Sequence, residues 1–270
     1  MANTYMQGIF IVAAVAAGSS MAPAALVAKY DFNDQNATTA TDSAGTAQNG
    51  TINGGATYAA SPVGGAGTNY GLSLDGVNDY VGYINDGTDS TLSQTVSASD
   101  KYTIEVFVNN LSANSGAEPL IFGQDFTTVG LTYYNTTGYG YAMGGSNSTF
   151  AGGINSGYRH IVVTYDRSLA SNELKVYLDG ALINQKNFGG AGPDLAPPVT
   201  PEFRTGRGGP GDPNSYLSGL IDEIRYYDEA LSGGQIAASF SAGPTLIPEP
   251  ASIGAAAMAM LLAGRRVRKA

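Results

Sequence analysis

The residues able to do chemistry are few and widely spaced. His160 is the only histidine among 270 residues, and cysteine and tryptophan are absent. Without a thiol there is no disulfide, no cysteine nucleophile and no thiolate metal site. A serine nucleophile needs a base, yet no G-x-S-x-G elbow accompanies His160, which reads as a hydrogen-bonded strand residue. Neither a phosphate-cradling loop nor a dinucleotide fingerprint occurs. Glycoside cleavage needs two carboxylates, about 5–5.5 Å apart for retention and about 6.5–9.5 Å for inversion. On one strand that means acids at i and i+2 or i+4. Glu105 has no acid at 103, 107 or 109, and the adjacent Asp222 and Glu223 should face opposite sides. Carboxylates brought together from different strands escape this count.

Oxygen donors and aromatic rings offer binding chemistry instead. Asp31, Asn33, Asp34 and Asp42 gather near the first apolar strand, and hard cations want several such oxygens. The same residue types shape turns, and the Asp31-x-Asn33-x-Gln35 stretch lacks the glycine of an EF-hand loop. Asp75 and Asp79 flank Gly76 and read as turn formers. In "LTYYNTTGYGYAMGG", Tyr133, Tyr134, Tyr139 and Tyr141 bracket a Thr-Thr-Gly turn. Tyr139 and Tyr141 share one strand face, where they suit either sugar stacking or cross-strand aromatic pairing. With Arg159 or Arg204, these tyrosines are the candidate ligand groove.

The elements that must position these residues are strands. "YTIEVFV" alternates, with Tyr102, Ile104, Val106 and Val108 on one face. "HIVVTYD" (160–166) is rich in β-branched residues. "ELKVYLDGALI" carries Asp179-Gly180 between two apolar runs, a type I′ hairpin signal. "YLSGLIDEIRYY" supplies a long strand from Tyr216 to Tyr227. Ser232 with Gln235 three positions later makes a capping box and predicts one short helix. Residues 191–213 are proline-rich and read as a long irregular loop. With 37 glycines punctuating short strands, the fold class is all-β, an antiparallel sandwich or jelly roll.

Charge narrows the partners. The net charge is −9, and four of the 13 basic residues lie in the last six positions. Without those four, the remaining 9 face 22 acidic residues, a net charge of −13. Such a body is repelled by nucleic acid.

Both ends read as addresses. No charged residue precedes Lys29, an apolar core spans 9–17, and Ala22-Pro23-Ala24 is a small-x-small pattern. Residues 1–24 are therefore expected to be a signal peptide, cut after Ala24 or alternatively after Ala28. No basic residue precedes the apolar core, so an uncleaved anchor is the other option. At the far end, the apolar run 251–264 is shorter than the ~20 residues of a spanning helix. Pro248-Glu249-Pro250, this run, and Arg265-Arg266 together resemble the PEP-CTERM sorting signal of Gram-negative bacteria. The resemblance implies transient membrane insertion, recognition by an exosortase, and delivery to the cell surface or matrix.

The middle resembles a family as well. "LSLDGVNDYV" (72–81), "YTIEVFV" (102–108), "YRHIVVTYD" (158–166), "LKVYLDG" (174–180) and "GLIDEIRYYDEALS" (219–232) resemble, in content and order, the LamG-like, concanavalin A-like jelly roll. Phe107 and Tyr158 stand where relatives often have tryptophan. The resemblance implies a two-sheet antiparallel jelly-roll sandwich over residues 25–243, followed by the sorting segment 244–270. It also implies a structural calcium between the first and last strands, with carboxylates from Asp31 and Asp222 and a carbonyl from Gly45. The expected function is non-catalytic binding of a polysaccharide or glycoprotein. The alternatives are a matrix component without a dedicated ligand and a divergent hydrolase or lyase.

Overall fold

The computed structural model describes residues 24–46, 48–63, 69–83, 92, 100–114, 118–124, 130–134, 138–143, 146–151, 157–189, 203–208 and 214–244. The described strands form two antiparallel sheets facing one another. Sheet I runs, in spatial order, β14 (Ala181–Lys186), β13 (Leu174–Leu178), β12 (Tyr158–Asp166), β7 (Lys101–Ala113), β16 (Leu217–Tyr227), β5 (Tyr70–Asp75) and β4 (Thr57–Ala60), with β1 (Leu26–Tyr30) also paired to β16. Sheet II runs β11 (Ser146–Ala151), β10 (Gly138–Met143), β9 (Gly130–Tyr134), β8 (Leu120–Gly123), β15 (Phe203–Thr205), β6 (Tyr80–Tyr83), β3 (Gly50–Asn53) and β2 (Thr39–Ala40). This is the jelly-roll sandwich that the alternation implies.

The core follows from period-two alternation. Sheet I contributes Tyr102, Ile104, Val106 and Val108, then Ile161, Val163 and Tyr165, then Ile224 and Tyr226. Sheet II answers with Ile52, Val81, Tyr83, Phe122, Leu131 and Phe203. Aromatic rings fill the centre in place of tryptophan: Tyr30 lies 4.5 Å from Tyr83, and Phe122 lies 5.4 Å from Phe203. Gly50 is required here, because a Cβ on it would come within 2.6 Å of the Tyr83 and Val81 side chains.

Local signals are also realised. Asp179 and Gly180 both have positive φ, as a type I′ turn requires, and join β13 to β14. Helix α1 (Gly233–Ala242) starts at a Ser232–Gln235 capping box and ends at Gly243. It lies on the outer face of sheet I.

Two expectations need correction. The proline-rich stretch 191–213 is not loop throughout, since Phe203–Thr205 forms β15 between β8 and β6. Its Phe203 is fully buried among Phe122 and Tyr226. Asp222 and Glu223 do not face opposite sides. A register irregularity between Ile221 and Glu223 breaks the alternation, so both reach the outer side of sheet I. The signal segment 1–23 and the sorting residues Pro248, Glu249, Pro250, Arg265 and Arg266 lie outside the described residues. No helix among the described residues is long and apolar enough to cross a membrane.

Candidate functional site

The outer face of sheet I carries charge where a core residue would be expected. Alternation turns Glu105 and Phe107 of β7, His160 of β12, and Glu223 and Arg225 of β16 away from the sandwich interior. Helix α1 then covers them, so that each is at most 1 % exposed. Glu105 stands opposite Arg225 in register. Its Oε1 lies 2.7 Å from His160 Nε2 and 3.4 Å from Arg225 Nη1, and accepts the Ser239 hydroxyl of α1. Arg225 Nε donates to Glu223, whose other oxygen is 3.4 Å from Lys29 Nζ. Arg225 Nη1 donates to Ser239 Oγ at 2.6 Å, and Nη2 to the carbonyls of Gly243 and Pro244 at 3.1 and 3.2 Å. His160 is stacked between Phe107 and Phe240.

One guanidinium between two carboxylates divides their titration. Burial opposes the charge on Glu105, but Arg225 and the His160 and Ser239 hydrogen bonds outweigh it and hold Glu105 down at about 2. Burial dominates at Glu223 and, against Arg225 and Lys29, pushes it up to about 7. Such a split is what an acid–base pair needs. Here it is sealed beneath a helix, and its chemistry is that of a clamp on α1.

Asp222 forms a second knot. Its carboxylate accepts from Ser61 Oγ at 2.6 Å, Tyr158 OH at 2.5 Å and Asn69 Nδ2 at 3.1 Å. Burial raises its pKa, and these donors act against that rise. Asp31 keeps other company: its oxygens accept from the Asn33 amide and the Ser43 hydroxyl, and Lys29 Nζ is 3.6 Å away. Gly45 sits in the turn beyond, at φ 84°. A calcium ion needs converging, unpaired oxygens. Of the three residues named for it, Asp31 lies beside Lys29 and Asp222 accepts from three neutral donors. Among the described residues no group of three or more histidine, cysteine or acidic side chains could hold a metal ion.

The tyrosine groove is not built as expected. Tyr133, Tyr139 and Tyr141 are at most 3 % exposed and belong to the core cluster. Tyr133 and Tyr139 are register partners whose rings meet edge-on at 5.7 Å. Tyr134 lies in β9, and its side chain is outside the described ones. Arg159 pairs with Asp179 at 3.0 Å, where both charges act on the Tyr139 hydroxyl. The hairpin thus uses the alternation for aromatic pairing across strands.

Access is found on the outer face of sheet II. In β3, β6 and β15 the residues alternate with core-facing Ile52, Val81, Tyr83, Phe203 and Thr205. Thr51, Asn53, Tyr80 and Arg204 therefore point outward, with Thr51 exposed and the rest half-buried. Register aligns Thr51 with Gly82, Gly82 with Arg204, and Asn53 with Tyr80. Gly82 puts no side chain between Thr51 and Arg204. Arg207 stacks over the Tyr80 ring at 4.9 Å. The turn beneath is fixed by Asp75, whose Oδ1 accepts the Val77 and Asn78 amides, and by Asp79, whose Oδ2 accepts the Asp75 amide. Sequence reading named Arg204 but missed Thr51, Asn53 and Tyr80. Their signal was the short alternation of "TIN" and "YVGY", which only the β3–β6 register unites.

A two-sheet jelly roll with this strand order invites comparison with known proteins. The profile of the concanavalin A-like lectin/glucanases superfamily matches residues 85–237. The chain belongs to this superfamily. Among solved structures, it is similar to domain 4 of a GH43 extracellular arabinanase from Geobacillus stearothermophilus, in complex with arabinotriose. Identity is 20 %, the TM-score is 0.57, and the match covers 80 % of this chain and 98 % of that one. It is also similar to a Trypanosoma rangeli sialidase, at 16 % identity and a TM-score of 0.57, over 80 % of this chain and 33 % of the sialidase. The binding domain of Botulinum neurotoxin DC, in complex with rat synaptotagmin II, matches at 10 % identity and a TM-score of 0.54, over 81 % of this chain and 51 % of that one. These likenesses concern the fold of this superfamily member. Comparison with curated proteins gives no match.

Proposed function

We propose that this superfamily member is an exported binding module without catalysis of its own, directed at carbohydrate or glycoprotein on the cell surface or in the matrix. One observation carries the reading. The outward side chains of β3, β6 and β15 offer hydroxyl, amide, phenol and guanidinium groups but no carboxylate, while Glu105, Glu223 and Asp222 are spent in buried networks on the opposite sheet. Sugars are held by such hydrogen-bond donors and acceptors beside an amphipathic ring. Hydrolysis needs two carboxylates across the bond. The arabinotriose complex of one structural neighbour and the protein complex of another support a binding role for the fold. In the exported protein, the sorting segment would deliver the domain to an exosortase after transient membrane insertion.

The test is retardation of the purified protein in gels containing polysaccharides of differing composition, with reducing-end release measured in parallel. The expected result is retardation by at least one polymer without release of ends, abolished by Arg204→Ala or Tyr80→Ala at unchanged thermal midpoint. Retardation that survives both substitutions would remove this face from the proposal. Silence on every glycan would favour the scaffold alternative, and release of reducing ends would refute the non-catalytic reading.

A further inference from the structure

The chain enters the fold at a carboxylate. Ala25 N donates to Asp228 Oδ1 at 3.2 Å, and the Asp228 amide donates back to the Ala25 carbonyl at 3.3 Å. These two bonds extend the β1–β16 pairing one step beyond Leu26↔Tyr227. Ala25 is exposed and Asp228 half-buried. The neighbouring charges have their own partners: Lys101 Nζ lies 3.5 Å from Asp166 and 3.6 Å from Glu229. Among the described residues, no ion pair reaches Asp228. A carboxylate is a better acceptor for an ammonium than for a neutral amide.

Ala25 is also the residue that follows the small-x-small pattern Ala22-Pro23-Ala24. The structure separates the two cleavage positions open to the sequence. Cutting after Ala28 would remove Leu26, Val27 and the fully buried Ala28 from β1, along with their pairing to β16. Cutting after Ala24 leaves β1 whole. Of the described residues it removes only Ala24, which packs against the small cluster of Val162, Tyr177, Tyr227, Leu231 and Ile236.

We propose that processing cuts the Ala24–Ala25 bond and that Asp228 is the receptor for the α-ammonium so created. Water adds across the peptide bond during export: Ala24 leaves as the carboxylate of the released peptide, and Ala25 N takes up protons to become an ammonium. The neutral amide contact of the precursor becomes an ion pair in the mature protein. Asp228 thus reads the processed end, and the existing contact gains its ion-pair character only after the leader has gone.

Three measurements on the full chain test this. Mass spectrometry and N-terminal sequencing of protein recovered after export should give a chain beginning at Ala25. A different first residue, or retention of Met1, overturns the proposal. The second compares Asp228→Asn in exported protein and in protein kept unprocessed in the cytoplasm. Asparagine keeps an acceptor for the amide but loses the charge. The substitution should lower the thermal midpoint at pH 7 by about 1–3 °C more in the processed form than in the unprocessed one. That excess should vanish above about pH 10, where the amine is neutral. An equal shift in both forms overturns the pairing. Should the variant fail to fold, the wild-type protein still decides. The pKa of its α-amine, from pH-dependent acylation, should lie above the ordinary range of about 7.7–8.0. A value within that range overturns the proposal.

Discussion

Replacing Glu223 by glutamine isolates the buried clamp beneath α1. The side chain keeps its shape and an acceptor for Arg225 Nε, while its titration is lost. In the wild type, Glu223 rises from 4.5 in the unfolded chain to about 7 in the fold, chiefly because it is buried. Between those values the folded protein holds a proton that the unfolded chain has released. Stability from this group is therefore fully present below pH 4.5 and is lost as pH rises towards 7. The slope is at most about 1.4 kcal/mol per pH unit, or roughly 3 kcal/mol over the window. Urea midpoints of the full chain at half-unit steps from pH 4.5 to 8 measure it. Asp222, whose pKa burial also raises, is present in both proteins and cancels in the difference. The expected result is that Glu223→Gln flattens the decline, so the two curves converge in acid and separate by about 1 M or more in urea near pH 7.5. Parallel curves across the window would refute the division of charge between Glu105 and Glu223.

Other consequences follow from the same contacts. Glu105, held at about 2, gives stability that is lost as pH falls from 4.5 towards 2; acid unfolding of Glu105→Gln should be shallower over that range. Arg225→Met leaves two carboxylates without their cation and should cost about 3–5 kcal/mol by urea unfolding, while adding Glu105→Gln and Glu223→Gln to it should recover part of the loss. Gly50→Ala forces a methyl against Tyr83 and Val81 and should destabilise by about 1–3 kcal/mol. Calcium added to chelated protein should leave the thermal midpoint unchanged. A rise of several degrees would mean that Asp31 and Asp222 exchange Lys29 and the Ser61, Asn69 and Tyr158 donors for a cation.

What the sequence made legible was local. The alternation of β7, the Asp179-Gly180 turn and the Ser232–Gln235 cap each depend on neighbours a few residues apart, and each formed as expected. β15 was hidden because a three-residue strand has no period of its own; it joins the sheet through Phe203↔Tyr83 in β6 and Arg204↔Gly123 in β8, partners far away in sequence. Alternation placed Tyr139 and Tyr141 correctly on one face but could not say which face met the core. Asp222 escaped because a bulge resets the period, and no residue type in "GLIDEIRYY" announces one.

The same limit governs the count of carboxylates. By strict alternation no strand carries two acids on one face, and on that ground catalysis was not expected. The fold does bring Glu105 and Glu223 to a single arginine, with the divergent acidities of a working pair. Proximity is therefore insufficient to separate enzyme from binding module, and access decides. For Glu105 and Glu223 to meet a substrate, α1 must leave, taking Ser239 and the Arg225 bonds to Gly243 and Pro244 with it. Hydrogen exchange can measure how often that happens. Amides of α1 that exchange only through global unfolding would keep the pair sealed. Exchange through a local opening several kcal/mol below the global value, together with release of reducing ends that Glu223→Gln abolishes, would reverse the functional reading.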